Sequence, residues 1–172
     1  MKKIIFCLIF LLILFVTPPA FASSNFATDY NVIYTVGDDA KTHVVFDITL
    51  TNKTSQYYAS SYNIQIGFEN IDNLTANDPD GPITPTINEN DDGRSIALTF
   101  NKKVVGIDNK LNFRLSFDTI DVAQKNGKIW QIDIPGLASQ NDFNSFNVSV
   151  KVPSFLKNPV YIKPSIKGLE TD

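Results

Sequence analysis

His43 is the only histidine in the chain, the side-chain type whose charge changes nearest neutral pH and so the first candidate for acid–base chemistry. A Ser-His-Asp site needs the imidazole beside a serine on a sharp turn, and the chain contains no Gly-x-Ser-x-Gly. A histidine-based metal site needs further histidines or a facial carboxylate set, which the sequence does not offer. His43 therefore reads as an ordinary strand-end residue. Cys7 is the only cysteine and lies in the first 22 residues. The remainder has no thiol for a disulfide, a thiolate nucleophile or a Cys-ligated zinc.

The run Asn88-Glu89-Asn90-Asp91-Asp92-Gly93 is rich in oxygen donors. Asn88, Asn90 and Asp92 fall at positions one, three and five of a calcium loop, with Gly93 at position six. Position twelve is Thr99, where a bidentate Glu is required. Asn, Asp and Gly are also the residues of tight turns, so a hairpin competes with a cation site here. Asp78-Pro79-Asp80-Gly81 reads the same way. Tyr57, Tyr58 and Tyr62 cluster near a loop and are the candidate ligand contacts, able to stack on a sugar or peptide or to pack at strand ends. Asn-x-Ser/Thr sequons stand at Asn52, Asn73 and Asn147. Paired carboxylates for glycoside hydrolysis need a separation of about 5–9.5 Å, which sequence does not reveal. No catalytic residue and no cofactor is assigned.

The elements that position these residues are strands. Leu111, Phe113, Leu115 and Phe117 alternate with polar residues, as do Trp130, Ile132 and Ile134 after Asn126-Gly127. Side chains on a strand point to opposite faces in turn, so each run lays an apolar stripe over a core with its other face wet. Trp130, the only tryptophan, is expected near the core's centre. Tyr30 to Val36, Val44 to Leu50, Tyr62 to Phe68, Ile96 to Phe100 and Phe146 to Val152 repeat the two-residue rhythm. The pattern lapses from Ile71 to about Asn90, with a short edge strand expected at Ile83 to Ile87 and a helical turn at Asp121 to Gln124. No stretch carries apolar residues at i, i+3, i+4 and i+7 over a dozen positions. The expectation is an all-β fold, an immunoglobulin/fibronectin-III-like antiparallel sandwich of 7–8 strands.

Residues 1–22 read as a signal peptide. Lys2 and Lys3 precede the apolar run from Ile4 to Val16, and Ala20-Phe21-Ala22 offers a cleavage site. The run is short for a membrane span of about 20 residues, so export to the envelope or medium is expected, with membrane attachment only through an uncleaved leader or a downstream segment. Residues 23–153 form the sandwich domain. Residues 154–172, broken by Pro159 and Pro164, form a tail that could add an edge strand at Val160 to Ile166 or serve as a linker. The 172 residues carry a net charge of −3. Without Lys2 and Lys3, 13 basic residues face 18 acidic ones, a net charge of −5. Such a surface is unsuited to nucleic acid, where phosphate neutralisation supplies most affinity. The partner class left is a protein or an envelope component.

Several blocks together resemble the N-terminal region of secreted bacterial proteins that carry a transglutaminase-like domain further along. They are Thr28 to Val32, Ile48 to Asn52 with Tyr57 to Ser60, Asn101 to Gly106, and Ala123 to Gly127 with Ile129-Trp130 and Ile134 to Leu137. The resemblance implies a β-sandwich ahead of a Cys-His-Asp thiol domain in an exported or membrane-attached protein. None of the blocks is catalytic, and that family's cysteine would lie beyond Asp172. The expectation is a non-catalytic exported module, a spacer or binding domain. The alternatives are an N-terminal fragment of such an enzyme and a carbohydrate-binding module.

Overall fold

Eleven strands and no helix are formed by the residues that the computed structural model describes, 25–90, 93–135, 143–156, 159–164 and 167–168. The expected leader lies outside them. The strands are β1 (Phe26–Val36), β2 (Thr42–Asn52), β3 (Ser61–Ile66), β4 (Asp72–Asp78), β5 (Gly81–Ile83) and β6 (Thr86–Asn90). They continue as β7 (Gly93–Thr99), β8 (Lys110–Thr119), β9 (Ala123–Asn126), β10 (Ile129–Ile132) and β11 (Ser145–Lys151). A six-stranded sheet has the order β11-β1-β2-β8-β4-β5, a three-stranded sheet β3-β7-β6, and β9 and β10 pair as a hairpin.

β1, β2 and β8 are long because each puts one unbroken apolar row on one face. Val44, Phe46, Ile48 and Leu50 of β2 lie in register with Phe117, Leu115, Phe113 and Leu111 of β8 and with Tyr34, Val32 and Tyr30 of β1. All of these side chains are buried. The three-stranded sheet adds Ile64, Ile66, Ile96 and Leu98 to the same core. Phe113 meets Phe100 and Tyr62 at ring-centroid distances of 4.8 and 5.4 Å, and Phe117 meets Phe68 at 5.1 Å. Offset and edge-on pairs of this kind add about 0.5–1.5 kcal/mol each beyond their burial. Two sheets thus share one core.

Several features depart from the sequence expectation. β11 pairs parallel with β1, so the large sheet is mixed where an antiparallel sandwich was expected. There are eleven strands where 7–8 were anticipated, because β4, β5, β6 and β9 carry few apolar residues. β4 offers the core only Leu74, Ala76 and Asp78 on its inward side, and it shifts register against β8 between Asp72 and Thr75. Ile83 and Ile87 lie on two strands of different sheets, with Thr84-Pro85 between them where the chain changes sheet. Residues 123–126, at the end of the expected helical turn, are a strand.

Trp130 is not central. It lies half-buried on the hairpin with Phe155 5.8 Å from its ring and the Lys125 ammonium 5.5 Å above it. A two-stranded ribbon has no neighbouring strands to cover its face, so the row of Trp130 and Ile132 is only half-buried, with Ile132 packed against the edge of the core. β10 pairs with β9 and not with β8. Gly127 has φ +64° and opens the two-residue turn, where a residue without Cβ adopts the left-handed region freely. The described part of the tail holds no strand.

One buried side-chain atom has no partner among the described residues. Thr42 is fully buried, and its Oγ1 makes no hydrogen bond. A desolvated hydroxyl without a partner costs about 1–3 kcal/mol, and valine has the same shape. Thr42→Val is expected to raise stability by about 1 kcal/mol, read as a higher urea midpoint at unchanged m-value. A lower midpoint would contradict this account of the site.

Candidate functional site

The outward face of the six-stranded sheet is polar from strand to strand. On β2 and β8 the facing pairs are His43 with Asp118, Val45 with Ser116, Asp47 with Arg114, and Thr49 with Asn112. Every polar pair but the Val45 one closes a side-chain bond. His43 Nδ1 lies 2.8 Å from Asp118 Oδ1, and Thr49 Oγ1 donates to Asn112 Oδ1 at 2.8 Å. Arg114 donates from Nε and Nη2 to the two Asp47 oxygens at 2.6 and 2.9 Å. This two-pronged pairing raises the Arg114 pKa, chiefly through the Asp47 hydrogen bond. A shallow depression of about 380 Å³ lies beside it, bounded by Thr49, Asn112, Asn77 and Pro79.

His43, read from sequence as an exposed strand-end residue without partners, is exposed but does have one. Asp118 also accepts from Asn73 Nδ2 at 2.7 Å, and Lys41 Nζ stands 3.8 Å away. The Asn73 and His43 hydrogen bonds hold the Asp118 carboxyl below the usual range. This is two-thirds of a Ser-His-Asp geometry. The hydroxyls of Thr75 and Ser116, also on β4 and β8, bond each other at 2.9 Å instead of the imidazole. Asn73 reaches Asp118 from a left-handed backbone, φ +52°, a conformation that asparagine tolerates better than most residues. It belongs to one of the three sequons, and Asn147 of another lies exposed on β11.

Tyr57 and Tyr58 lie on the loop after β2, 55% and 41% exposed, and Lys103 Nζ sits 5.5 Å above the Tyr58 ring. Tyr62 does not join them as a surface contact. It is the second residue of β3, packs on Phe113 and shares a 2.7 Å hydrogen bond with the Tyr30 hydroxyl. The loop is organised by Asn52, the first sequon residue, which is buried. Asn52 Oδ1 accepts from Thr54 N and Thr54 Oγ1 at 2.9 and 3.1 Å, and its Nδ2 donates to Tyr57 O at 2.5 Å. Asn-x-Thr was the local signal for this turn, since an Asn oxygen accepts readily from the backbone two residues on.

Two aspartates that the sequence did not single out as partners fasten loops to strands. Asp78 accepts from the backbone N–H groups of Asn101, Lys102 and Asp80 at 2.7, 2.7 and 2.9 Å. Asp121 accepts from Glu69 N and Asn70 N, both at 2.7 Å, and from Asn70 Nδ2. Burial alone would raise both carboxyl pKa values, but these donors outweigh it and both are lowered. Asp29 is lowered as well, by Ser145 Oγ and then Asn144 Nδ2.

Asn88, Glu89, Asn90 and Gly93 of the oxygen-rich run lie in the β6–β7 ladder, with Asn88 opposite Ser95 and Asn90 opposite Gly93. Strand residues in a ladder do not wrap a cation as a calcium loop does. Asp91 and Asp92 lie outside the described residues. Among the described residues no three His, Cys, Asp or Glu side chains converge to hold a metal ion. No helix among them is long and apolar enough to cross a membrane.

No family model matches the chain, and no curated protein matches it. Among solved structures it is similar to a mutant M1 zinc metallopeptidase from Deinococcus radiodurans bound to a Tyr-Ser-Ala substrate. The TM-score is 0.47 at 16% identity, over 76% of this chain and 33% of that one. The chain therefore spans about a third of that protein's length.

Two outcomes follow from the side-chain anchors. Asn52→Ala strands Thr54 N and Tyr57 O and is expected to cost about 2 kcal/mol. The same change should broaden Tyr57 and Tyr58 ring signals in NMR spectra, and unchanged spectra would show the loop is held otherwise. The carboxyls of Asp29, Asp78, Asp118 and Asp121 all have folded pKa values below the unfolded value of about 3.9. Their stabilisation is complete above that value and is lost as pH falls through the folded pKa. Urea midpoints should fall below about pH 4. Asp78→Asn together with Asp121→Asn should lower the pH 7 midpoint and flatten the acid loss, and an equally steep loss would assign it to other groups.

Proposed function

We propose that the protein is a non-catalytic exported module of the immunoglobulin-like sandwich type, a spacer or protein-binding accessory domain at the bacterial cell envelope. The observation that supports this most is where its carboxylates are spent. Asp29, Asp78, Asp118 and Asp121 are each held by two or more donors and kept ionised, and Asp47 is closed onto Arg114. General acid–base work at neutral pH calls for a carboxyl raised towards 7, the opposite direction. A large sheet, antiparallel but for the β1–β11 pair, and a small antiparallel one over a common core support the sandwich reading. The Lys2-Lys3 leader pattern and the block resemblance support the envelope setting.

A second reading rests on Tyr57 and Tyr58, whose exposed rings beside Lys103 would suit stacking on a glycan. Purified protein is expected to turn over no peptide, ester or glycoside in a broad substrate panel. Hydrolysis abolished by either His43→Ala or Asp118→Ala would overturn the non-catalytic reading. A glycan array separates the two readings: binding lost in Tyr58→Ala favours the carbohydrate module, and a blank array leaves the protein-binding one.

A further inference from the structure

Among the described residues β11 is an edge strand, and it has few of the usual guards. Seven residues from Ser145 to Lys151 pair with β1 in unbroken parallel register, without a bulge or a proline. The opposite edge of the same sheet is β5, three residues long and containing Pro82. Natural sheets blunt their edges with short strands, prolines, bulges or charges, because an open edge is a template for a further strand. β11 carries one lysine, at its end. Its core-side residues Phe146, Val148 and Val150 continue the row of Tyr30, Val32 and Tyr34, yet they are 43%, 40% and 40% exposed.

The strand is self-complementary. One symmetric antiparallel register pairs all seven residues with a second copy, with Val148 opposite itself. It places Phe146 opposite Val150 and Ser145 opposite Lys151. The apolar stripe then meets its own copy on one face. On the other face, Lys151 of each chain reaches over Ser145 towards Asp29, the carboxylate bonded to Ser145 Oγ at 2.6 Å. Asp29 lies opposite Ser145 in the β1 ladder, so the lysine has to reach across β11, two strand spacings or about 9.5 Å between Cα atoms, a span the lysine and aspartate side chains cover together. Because the axis is two-fold, the pair forms twice.

We propose that two copies of the chain associate through β11 in this register, joining their six-stranded sheets into one continuous sheet. Cross-strand pairs and the recovered ladder hydrogen bonds supply the affinity, and the Lys151–Asp29 charges select the register.

Sedimentation of the purified protein should show a concentration-dependent dimer. Val148→Lys sets two ammonium groups against each other on the axis and should weaken association by about a hundredfold or more, with the circular dichroism spectrum unchanged. Lys151→Glu should weaken it by about tenfold, and more at low salt than at high salt. In a Cys7→Ser background, Val148→Cys brings identical positions to about 4.5–5.5 Å between Cα atoms, within disulfide range. It should cross-link on mild oxidation much faster than Ser149→Cys, whose partner in this register is Asn147. A monomer throughout the micromolar-to-millimolar range would overturn the proposal. So would equal cross-linking of the two cysteine variants, or a dimer that Val148→Lys leaves intact.

Discussion

The fold depends on how the chain is fastened where it passes from one sheet to the other. Backbone groups in such a crossing have no ladder partner, and leaving them unmade away from water costs about as much as a lost hydrogen bond. Asp121 meets this need for Glu69 and Asn70 between β3 and β4, and Asp78 meets it for Asn101 and Lys102 on the way from β7 to β8. The residues just before these fastened amides are Phe68 and Phe100, the two rings that reach across to Phe117 and Phe113. The carboxylates therefore set the depth at which the small sheet's aromatics enter the core. Arg94 works at the same place, donating to the carbonyls of Phe68 and Glu69 while it pairs with Glu89 across the β6–β7 ladder.

The same arrangement bears on chemistry. A carboxylate that accepts two or three N–H bonds is stabilised in its charged form, so it is a poor proton donor and a good anchor. The solvent face of the large sheet repeats this at lower stakes. Arg114 and Asp47 neutralise each other, and Thr49–Asn112 and Thr75–Ser116 close their own bonds. What remains free for recognition is concentrated elsewhere: the exposed tyrosines after β2 and the edge formed by β11.

Alternation in sequence reports burial of one face, and it identified β1, β2, β7, β8 and β11 because each carries a full apolar row. β4 and β6 were hidden because their sequences, DNLTAND and TINEN, hold almost no such row. β4 works instead through polar contacts, with Asp78 as its buried inward residue. Trp130 misled for the converse reason: its neighbours alternate, but the hairpin has no adjoining strands, so the row is only half-buried. At the candidate site, exposed Tyr57 and Tyr58 were legible, and so in principle was the Asn52-x-Thr54 turn. The reach of Asp78 to Lys102, or of Asp121 to Asn70, joins residues 24 and 51 positions apart, and no local pattern encodes it.

β11 illustrates how legible alternation can leave the outcome open. Its rhythm is as regular as that of β8, yet β8 is buried between two neighbours and β11 is not. It is held at its start, where Asn144 N donates to Thr28 O, Asn144 and Ser145 bond Asp29, and Phe143 and Phe146 pack on Tyr30. Towards Lys151 the contacts with β1 are those of the ladder, with Val148 and Val150 each 40% exposed. A strand anchored at one end and exposed along its length gains little from burial, so its far end opens more readily than the core strands. A second neighbour would bury the valines and stabilise that end. Ordering of the edge and association of two chains would then be one coupled equilibrium, because whatever binds the closed strand shifts the population towards it.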